Sequence, residues 1–230
     1  VASLGDIVTG DIQGKIMTEV QPMKMAAAEG LYETTTNAPF SVLSIGSLDG
    51  SEATRLIEIP GLLSFLATGT WDGEVEGINE LRVSERAMAE KVAEQYGPEV
   101  AALVLVDDYT PMIPLAYWSF RFMMGLGFAT MAAAAATLWA MRKNRVPHGA
   151  VWTWVAILTP LAPVFANSWG WIFTEAGRQP WIVYGLMTTS TGVSPSVSAT
   201  EVWISMIAYT LVYAVLAVIG IGAHLEGHRP

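Results

Sequence analysis

Charged side chains at the edges of apolar segments are the residues best placed to do chemistry in this sequence. Glu175 and Arg178 directly follow one apolar run, and Arg121 lies six residues inside another. An unpaired charge near the centre of a bilayer costs about 3 kcal/mol, so charges at such depth are usually functional. Glu175 and Arg178 are three positions apart on one helical face, so they could pair with each other or bind another group. Arg121 could equally extend its guanidinium to the outer interface.

A second charged pair lies in the stretch QPMKMAAAEGLYET. Lys24 and Glu29 are five positions apart, which places them about 140° apart around a helix and rules out an ordinary i,i+4 pair. They could hold a ligand between them or be two independent solvated charges. Met123 and Met124 are ordinary packing residues by type, and a thioether ligand is the alternative function for either sulfur.

The composition is that of a membrane protein. The chain is 52% hydrophobic and 14% charged, with a mean hydropathy of +0.41, whereas about a quarter of the residues in soluble domains are charged. The absence of cysteine excludes disulfides, thiolate metal sites and cysteine nucleophiles. The net charge of −9 argues against nucleic acid as a partner.

Three apolar segments approach the ~20 residues that a helix needs to cross a bilayer. They are Leu115 to Met141, Ala150 to Phe173 and Val202 to Ala223. The sequence therefore predicts an all-α fold, a polytopic transmembrane helix bundle. Basic residues follow the first and third segments and place those ends in the cytoplasm by the positive-inside bias; they are Arg142, Lys143, Arg145 and Arg229.

This orientation places the long polar stretch before Leu115 outside the membrane. Its acidic residues outnumber its basic ones and suit a solvated outer face; they are Glu29, Glu33, Asp49, Glu52, Glu58, Asp72, Glu74, Glu76, Glu80, Glu85, Glu90, Glu94, Glu99, Asp107 and Asp108. Ser84 before RAMAEKVAEQ, with Gly97 and Pro98 after it, predicts a short helix. The segment IPGLLSFLATG is too short to span, so we expect it on the membrane surface or against other helices.

At the start of the chain we expect no secretory signal. Val1 to Gly10 lacks methionine and a basic region and is typical of the end of an apolar helix. We therefore expect a fragment of a longer chain, with at least one helix before it. Three regions follow: residues 1–28 end a transmembrane helix and begin a loop, 29–113 form an external, partly helical acidic loop, and 114–230 form a three-helix transmembrane region.

Three long motifs, in order and spacing, resemble signature segments of subunit I of the cytochrome bd-type quinol oxidases. They are GDIQGKIMTEVQPMKMAAAEGLYET at 10–34, PLAYWSFRFMMGLGF at 114–128 and GWIFTEAGRQPW at 170–181. PGLLSFLATG at 60–69 and GINEL at 77–81 are similar to the quinol-binding external loop of that family. The resemblance covers nearly the whole chain, matches the C-terminal half of the subunit, and indicates the branch with a short loop.

The resemblance implies a role for each charged residue named above. Lys24 and Glu29 match the residues that bind and deprotonate a quinol. Met123 matches the axial ligand of the low-spin heme b iron, and Arg121 matches the arginine beside that heme. The remaining matches surround the high-spin hemes: Glu175 as a ligand to iron, Trp171 packed nearby, and Arg178 suited to a heme propionate.

The function implied is that of a terminal respiratory oxidase in a bacterial plasma membrane, with the loop 29–113 on the outer side. It would oxidise a membrane quinol and pass electrons through low-spin heme b, high-spin heme b and heme d to reduce dioxygen to water. The implied partners are the N-terminal half of the same subunit, subunit II, small accessory subunits and the lipid bilayer. The three histidines, His148, His224 and His228, lie in loops or at the C-terminal edge, so the axial histidines would come from that N-terminal half.

Three alternatives stay open from the sequence. One is a transporter or proton pathway without heme, in which Glu175, Arg121 and Arg178 form a relay. Another is a non-catalytic membrane subunit, related to the oxidase, that supports a partner. The third is a bd-like oxidase that lacks heme d. Heme spectra of the intact complex separate them.

Overall fold

The computed structural model describes residues 2–46, 53–143, 146–194 and 196–226. Helices dominate these residues, and we number them in chain order: α1 Ala2–Val20, α2 Pro22–Glu29, α3 Leu62–Thr68, α4 Ile78–Tyr96, α5 Pro98–Val104, α6 Ile113–Met141, α7 Ala150–Leu158, α8 Ala162–Gly177 and α9 Ala199–Glu226. Five residues used in the sequence predictions, Asp49, Glu52, Arg145, His228 and Arg229, lie outside the described residues.

The apolar helices agree with the predicted membrane spans. Among the described residues, α6 and Ala199–Gly220 of α9 are long and apolar enough to cross a membrane, and α7 with α8 would form a third span. The α7–α8 pair is bent by 41° at a short break that contains Pro160, which lacks the N–H that a continuous helix requires. The predicted class, a polytopic bundle of transmembrane helices, is confirmed.

Helix α1 is more polar than these spans. It carries Asp6, Asp11, Lys15 and Glu19, and although it is 19 residues long it is not among the described helices that are apolar enough to cross a membrane. The assignment of residues 1–28 to the end of a transmembrane helix stays a prediction.

Helix α2 lies at the centre of the packed part of the chain. Every residue from Met23 to Glu29 is buried, because α6, α4 and α8 all pack against this short helix. Three consecutive alanines, Ala26 to Ala28, let those backbones approach closely. The helix begins with Pro22 in its first turn and ends at Gly30, whose φ of 59° suits glycine. Both charged residues of this helix are thereby carried into the interior.

Three short antiparallel pairs of strands were not predicted, two of them in the loop 29–113 and the third between α8 and α9. They are β1 Thr35–Thr36 with β4 Glu74–Val75, β2 Phe40–Gly46 with β3 Ala53–Ile59, and β5 Trp181–Val183 with β6 Met187–Thr188. The longest, β2 with β3, pairs Phe40 with Ile59. The apolar residues of β2 and β3 occur in short runs without a helical repeat, and this pattern favours strands.

The loop helix differs from its predicted start. Helix α4 begins at Ile78 after Gly77, so the prediction of a cap at Ser84 is wrong, and its hydroxyl instead donates to the carbonyl of Leu81 at 3.1 Å. Gly77 is required because a side chain there would meet the backbone carbonyl carbon of Glu33 at 2.4 Å. The predicted end at Gly97 is correct. Helix α3 packs its Leu63 against the interior rather than lying only on a membrane surface.

The described chain divides into two compact units. Val1–Gly192 forms one and contains all the residues assigned above to a site, and Val193–Pro230 forms the other and contains α9.

Candidate functional site

A buried ion pair joins Glu29, the last residue of α2, to Arg121 of α6. The guanidinium of Arg121, on α6, donates to both carboxylate oxygens of Glu29, at 2.7 Å to Oε2 and 3.2 Å to Oε1. The Glu29 side chain is 2% exposed and that of Arg121 is 8% exposed. A bidentate contact of this kind is among the strongest charge-assisted hydrogen bonds. Arg121 therefore turns inward to Glu29 rather than outward to the interface.

Hydroxyl groups extend this pair into a polar network. The backbone N–H of Ser41 lies 3.4 Å from Glu29 Oε2, and the hydroxyls of Ser41 and Ser44 contact each other. The Tyr117 hydroxyl accepts the N–H of Ser44 at 2.7 Å and lies 3.0 Å from the Ser41 hydroxyl. This network ties the β2–β3 hairpin to α6. The carboxylate that matches the quinol-binding glutamate is thus held by two separate elements.

Aromatic rings surround the same guanidinium. Arg121 lies 4.6 Å from the ring centre of Tyr117, 4.7 Å from that of Phe40 and 5.3 Å from that of Phe120. Rings at these distances stabilise a desolvated cation. Yet Nε of Arg121 is buried without an acceptor among the described residues, although buried donors are normally paired. The Nε–H of Arg121 is therefore a buried donor whose hydrogen bond is not supplied by the described residues.

Lys24 points to the opposite side of α2, towards α8. Its Nζ donates to the carbonyl of Thr174 at 3.3 Å and lies 5.1 Å from the ring centre of Phe173. The stem of Lys24 passes over Gly177, where a built side-chain carbon would lie 3.0 Å from Lys24 Cγ. Lys24 and Glu29 therefore contact different helices. Arg121, rather than Lys24, supplies the cation that pairs with Glu29.

Glu175 and Arg178 form the local ion pair that their spacing allows. Nη2 of Arg178 lies 2.5 Å from Glu175 Oε2, and both side chains are more than one third exposed, so the pair is worth little to stability. Arg178 Nε, like that of Arg121, is buried without an acceptor among the described residues. Trp171, one turn before Glu175, is 68% exposed. These three residues leave an open surface at the end of α8.

Met123 lies where α6 meets α8. A side-chain carbon built at Gly170 of α8 would lie 2.9 Å from its sulfur, so glycine at that position makes room for the thioether. Three residues earlier on α6, Phe120 packs against Phe173 with ring centres 4.9 Å apart. The sulfur of Met123 and the carboxylate of Glu175 are thus carried on two helices in direct contact.

The sequence analysis missed one buried carboxylate, Glu85. It is 2% exposed, and its oxygens accept the indole N–H of Trp181 at 3.1 Å and the hydroxyl of Tyr184 at 3.1 Å. Burial raises the pKa of Glu85, and the hydrogen bonds from Trp181 and Tyr184 lower it again only in part. The available signal was its spacing from Ile78 and Leu81, which places it on the buried face of α4.

The types of these donor residues are compatible with heme, the group that the resemblance implies. Heme offers two propionates, and the two buried guanidinium Nε atoms without acceptors, on Arg121 and Arg178, are donors whose geometry matches carboxylates. Thioether sulfur and carboxylate oxygen both bind iron in proteins. Met123 and Glu175 provide one of each on adjacent helices.

Together, the fold and these charges define a membrane protein of apolar helices with one buried charge pair, Glu29–Arg121, and one partly exposed pair, Glu175–Arg178. The family model for "Cytochrome bd terminal oxidase subunit I" matches residues 1–228. The chain belongs to this family.

Individual relatives agree with this assignment. The chain is 37% identical over 217 residues to a cytochrome bd ubiquinol oxidase subunit 1 of Bacillus subtilis (strain 168), covering 94% of this chain and 43% of that protein. It is 30% identical over 222 residues to a putative cytochrome bd menaquinol oxidase subunit I of the same strain, and this match covers 94% of this chain and 43% of that protein. The chain thus spans less than half the length of these relatives.

A solved structure shares the fold. The bd oxidase from Geobacillus thermodenitrificans superposes with a TM-score of 0.68 at 26% sequence identity, and the match covers 97% of this chain and 45% of that chain.

Proposed function

We propose that this chain forms the quinol-oxidising part, and one side of the heme-binding part, of a terminal respiratory oxidase that reduces dioxygen to water. The observation that carries the proposal is the contact between Glu29 and Arg121. It joins the residue that matches the quinol-site glutamate to a residue two positions from Met123, the candidate heme ligand. One ion pair thereby links the place where protons leave the substrate to the place where electrons arrive.

Quinol oxidation releases two protons with two electrons, so the site needs a general base. Glu29 is our candidate. As a carboxylate it pairs with Arg121, and once it has taken a proton that charge attraction is lost. Arg121 is then free to turn its donors elsewhere. Proton uptake at Glu29 would thus change the charge beside Met123.

Lys24 would bind the substrate rather than support Glu29. An ammonium has three donors, and one of them already reaches the carbonyl of Thr174. Another can bind a quinol oxygen and polarise it. Because Lys24 contacts α8 and Glu29 contacts α6, a quinol between them would touch both helices that carry the candidate iron ligands.

The assignment of individual residues to individual hemes follows the motif matches. When bound, the hemes would supply single-electron transfer and the reduction of dioxygen. Met123 would ligate a low-spin heme b with Arg121 beside it, and Glu175 a high-spin heme, with Trp171 and Arg178 nearby. The open carboxylate–guanidinium pair at the end of α8 supports this, because both partners are exposed enough to exchange each other for iron and propionate. Heme d completes the set.

The proposed assembly includes groups that this chain does not carry. The N-terminal half of the subunit would supply the axial histidines, and subunit II and small accessory subunits would cover the apolar faces. The setting is a bacterial plasma membrane, with residues 29–113 on its outer side. Protons from the quinol would leave outward, so charge separation needs no pump.

The test is a spectrum of the assembled membrane complex. Met123→Leu is expected to abolish the low-spin heme b band in reduced-minus-oxidised spectra while leaving the oxygen-site bands largely in place. Met124→Leu, on the neighbouring position, is the matched control and should leave every band unchanged. An unaltered low-spin band in Met123→Leu removes Met123 from the ligand assignment.

A second candidate, a proton pathway without heme, rests on the Glu175–Arg178 contact, since that ion pair satisfies both charges locally. The two candidates make opposite predictions for extracted pigment. Pyridine extraction of the complex should yield heme in the oxidase and none in the pathway. A heme d band would further separate the ordinary oxidase from a variant that lacks heme d.

A further inference from the structure

Glu85 occupies a position on α4 where an apolar residue is expected. The buried face of this helix consists of Ile78, Leu81, Glu85 and Ala89, whereas its other acidic residues, Glu80, Glu90 and Glu94, are exposed. A carboxylate removed from water is costly unless it is paired. Its presence on an otherwise apolar face indicates a role other than packing.

The partners of Glu85 are neutral donors rather than cations. Among the described residues no lysine or arginine lies within ion-pair distance of it, and its contacts are the Trp181 indole and the Tyr184 hydroxyl. This differs from Glu29, which is paired with a guanidinium. A carboxyl held by neutral donors can take up a proton without giving up an ion pair. Glu85 can therefore change its protonation state without breaking an ion pair.

The charged and titratable groups around Glu85 come from several elements. Lys24 of α2 and Arg178 at the end of α8 line the same narrow cleft as Glu85 and Tyr184. Tyr109 stacks on Trp181 with ring centres 5.3 Å apart, and Glu76 acts on Tyr184 by its charge. Burial, and then the charge of Glu85, raise the pKa of Tyr184, so this phenol stays a donor to the carboxylate at physiological pH.

The cleft connects Glu85 to the proposed substrate lysine. Gln21 and Gln179 complete its polar lining, and it has room for about one water molecule. A single bridging water is enough to carry a proton between groups that do not touch. Glu85 and Lys24 therefore line one cleft that can hold a bridging water.

Building on the function proposed above, we propose that Glu85 is a proton-relay residue for quinol oxidation. A proton from the quinol hydroxyl held by Lys24 would pass through one water to Glu85, and from there to the outer solution. In this step the quinol O–H bond breaks and a carboxyl O–H bond forms on Glu85. The electrons go to the heme iron of the proposed function. The second proton of the quinol is left to Glu29.

The first experiment uses the assembled oxidase with Glu85→Gln and, as its matched control, the exposed Glu90→Gln on the same helix. Quinol oxidation is measured from pH 5 to pH 9. For Glu85→Gln we expect kcat to fall about 10²-fold, in line with a lost proton-transfer group, with KM changed less than about twofold and heme content unchanged. Glu90→Gln should match the unmodified oxidase. Wild-type kcat in Glu85→Gln across this range overturns the relay.

Tyr184→Phe keeps the relay testable even where Glu85→Gln does not assemble. It removes a hydrogen bond that lowers the pKa of Glu85. The relay accepts a proton only when ionised, so the acidic limb of the kcat profile should move to higher pH by up to about one unit. A residue that only anchors α4 to the segment after α8 would leave this limb in place. An unmoved limb, or one moved to lower pH, refutes the relay.

An infrared measurement separates the relay from the function on which it rests. Quinol-induced difference spectra should contain a carboxyl C=O band that is lost in Glu85→Gln and kept in Glu90→Gln. If the band persists in Glu85→Gln while the unmodified complex oxidises quinol, the relay is wrong and the oxidase function stands. If the unmodified complex binds heme but does not oxidise quinol, the proposed function fails and the relay fails with it.

Discussion

Removal of the Arg121 charge is expected to destabilise the protein far more than removal of the charge and its partner together. Arg121→Met leaves the Glu29 carboxylate 2% exposed without the two hydrogen bonds, at 2.7 and 3.2 Å, that compensate its desolvation. Breaking a buried pair in this way costs about 3–5 kcal/mol, whereas replacing both charges is often nearly neutral. Even a loss of about 3 kcal/mol changes the folding equilibrium more than a hundredfold.

The double variant Arg121→Met/Glu29→Gln is therefore expected to recover most of the loss. Glu29→Gln alone should lie between them, because Arg121 keeps the rings of Phe40, Tyr117 and Phe120 around its charge, a contribution of up to about 2 kcal/mol. The expected order of stability, from lowest, is Arg121→Met, then Glu29→Gln, then the double variant close to the unmodified protein.

The assay is thermal unfolding of the four assembled complexes in one detergent at one scan rate, since large membrane complexes often unfold irreversibly. Heme content is measured on the same samples, because Arg121 is also a proposed neighbour of heme. The reasoning is refuted if the double variant is as unstable as Arg121→Met. That result would show that Arg121 stabilises the protein through its contacts with the surrounding aromatic rings or with heme, and not by neutralising Glu29.

Three further predictions concern the heme side, the substrate side and pH. Gly170→Ala should shift the low-spin heme b band, because its new carbon would lie 2.9 Å from the Met123 sulfur. Its overpacking cost of about 1–3 kcal/mol is offset in part by the preference of a helix for alanine over glycine, about 1 kcal/mol. Gly125→Ala, which meets nothing within 4 Å, should leave the band in place. Glu29→Gln should slow quinol oxidation much more than turnover with an artificial donor that reduces the hemes directly; equal losses would indicate a folding defect. The pKa of Glu85 is raised in the folded state, so its stabilising contribution is present below the ordinary value of 4.5 and is lost as pH rises through the raised value. The melting temperature of Glu85→Gln relative to the unmodified complex should therefore increase with pH over that window, and a constant difference would contradict the raised pKa.

The sequence by itself determined the class of fold and the membrane spans. Long apolar runs fix helices in lipid regardless of what surrounds them, because every backbone polar group must be paired within the segment. For this reason α6 was predicted to within two residues of its observed start at Ile113. Long motifs in fixed order likewise identified the family without any coordinates.

The loop was predicted less well, since its structure depends on contacts between distant segments. Helix α4 begins six residues before Ser84 because Gly77 can pack against the backbone of Glu33, a contact that no local capping pattern reveals. The β2–β3 hairpin is positioned by Tyr117 of α6 through Ser41 and Ser44. Propensity is a weak guide where such tertiary contacts decide.

The partners of Lys24, Glu29 and Glu85 were decided by the tertiary structure, whereas the pairing of Glu175 with Arg178 was already allowed by their spacing. Spacing showed that Lys24 and Glu29 face different ways around α2, but not that Lys24 meets α8 and Glu29 meets Arg121 of α6. Residue types also gave no reason to separate Glu85 from the many acidic residues of the loop. Burial distinguishes it, because a carboxylate deprived of water must bind whatever donors the packing of other segments brings to it.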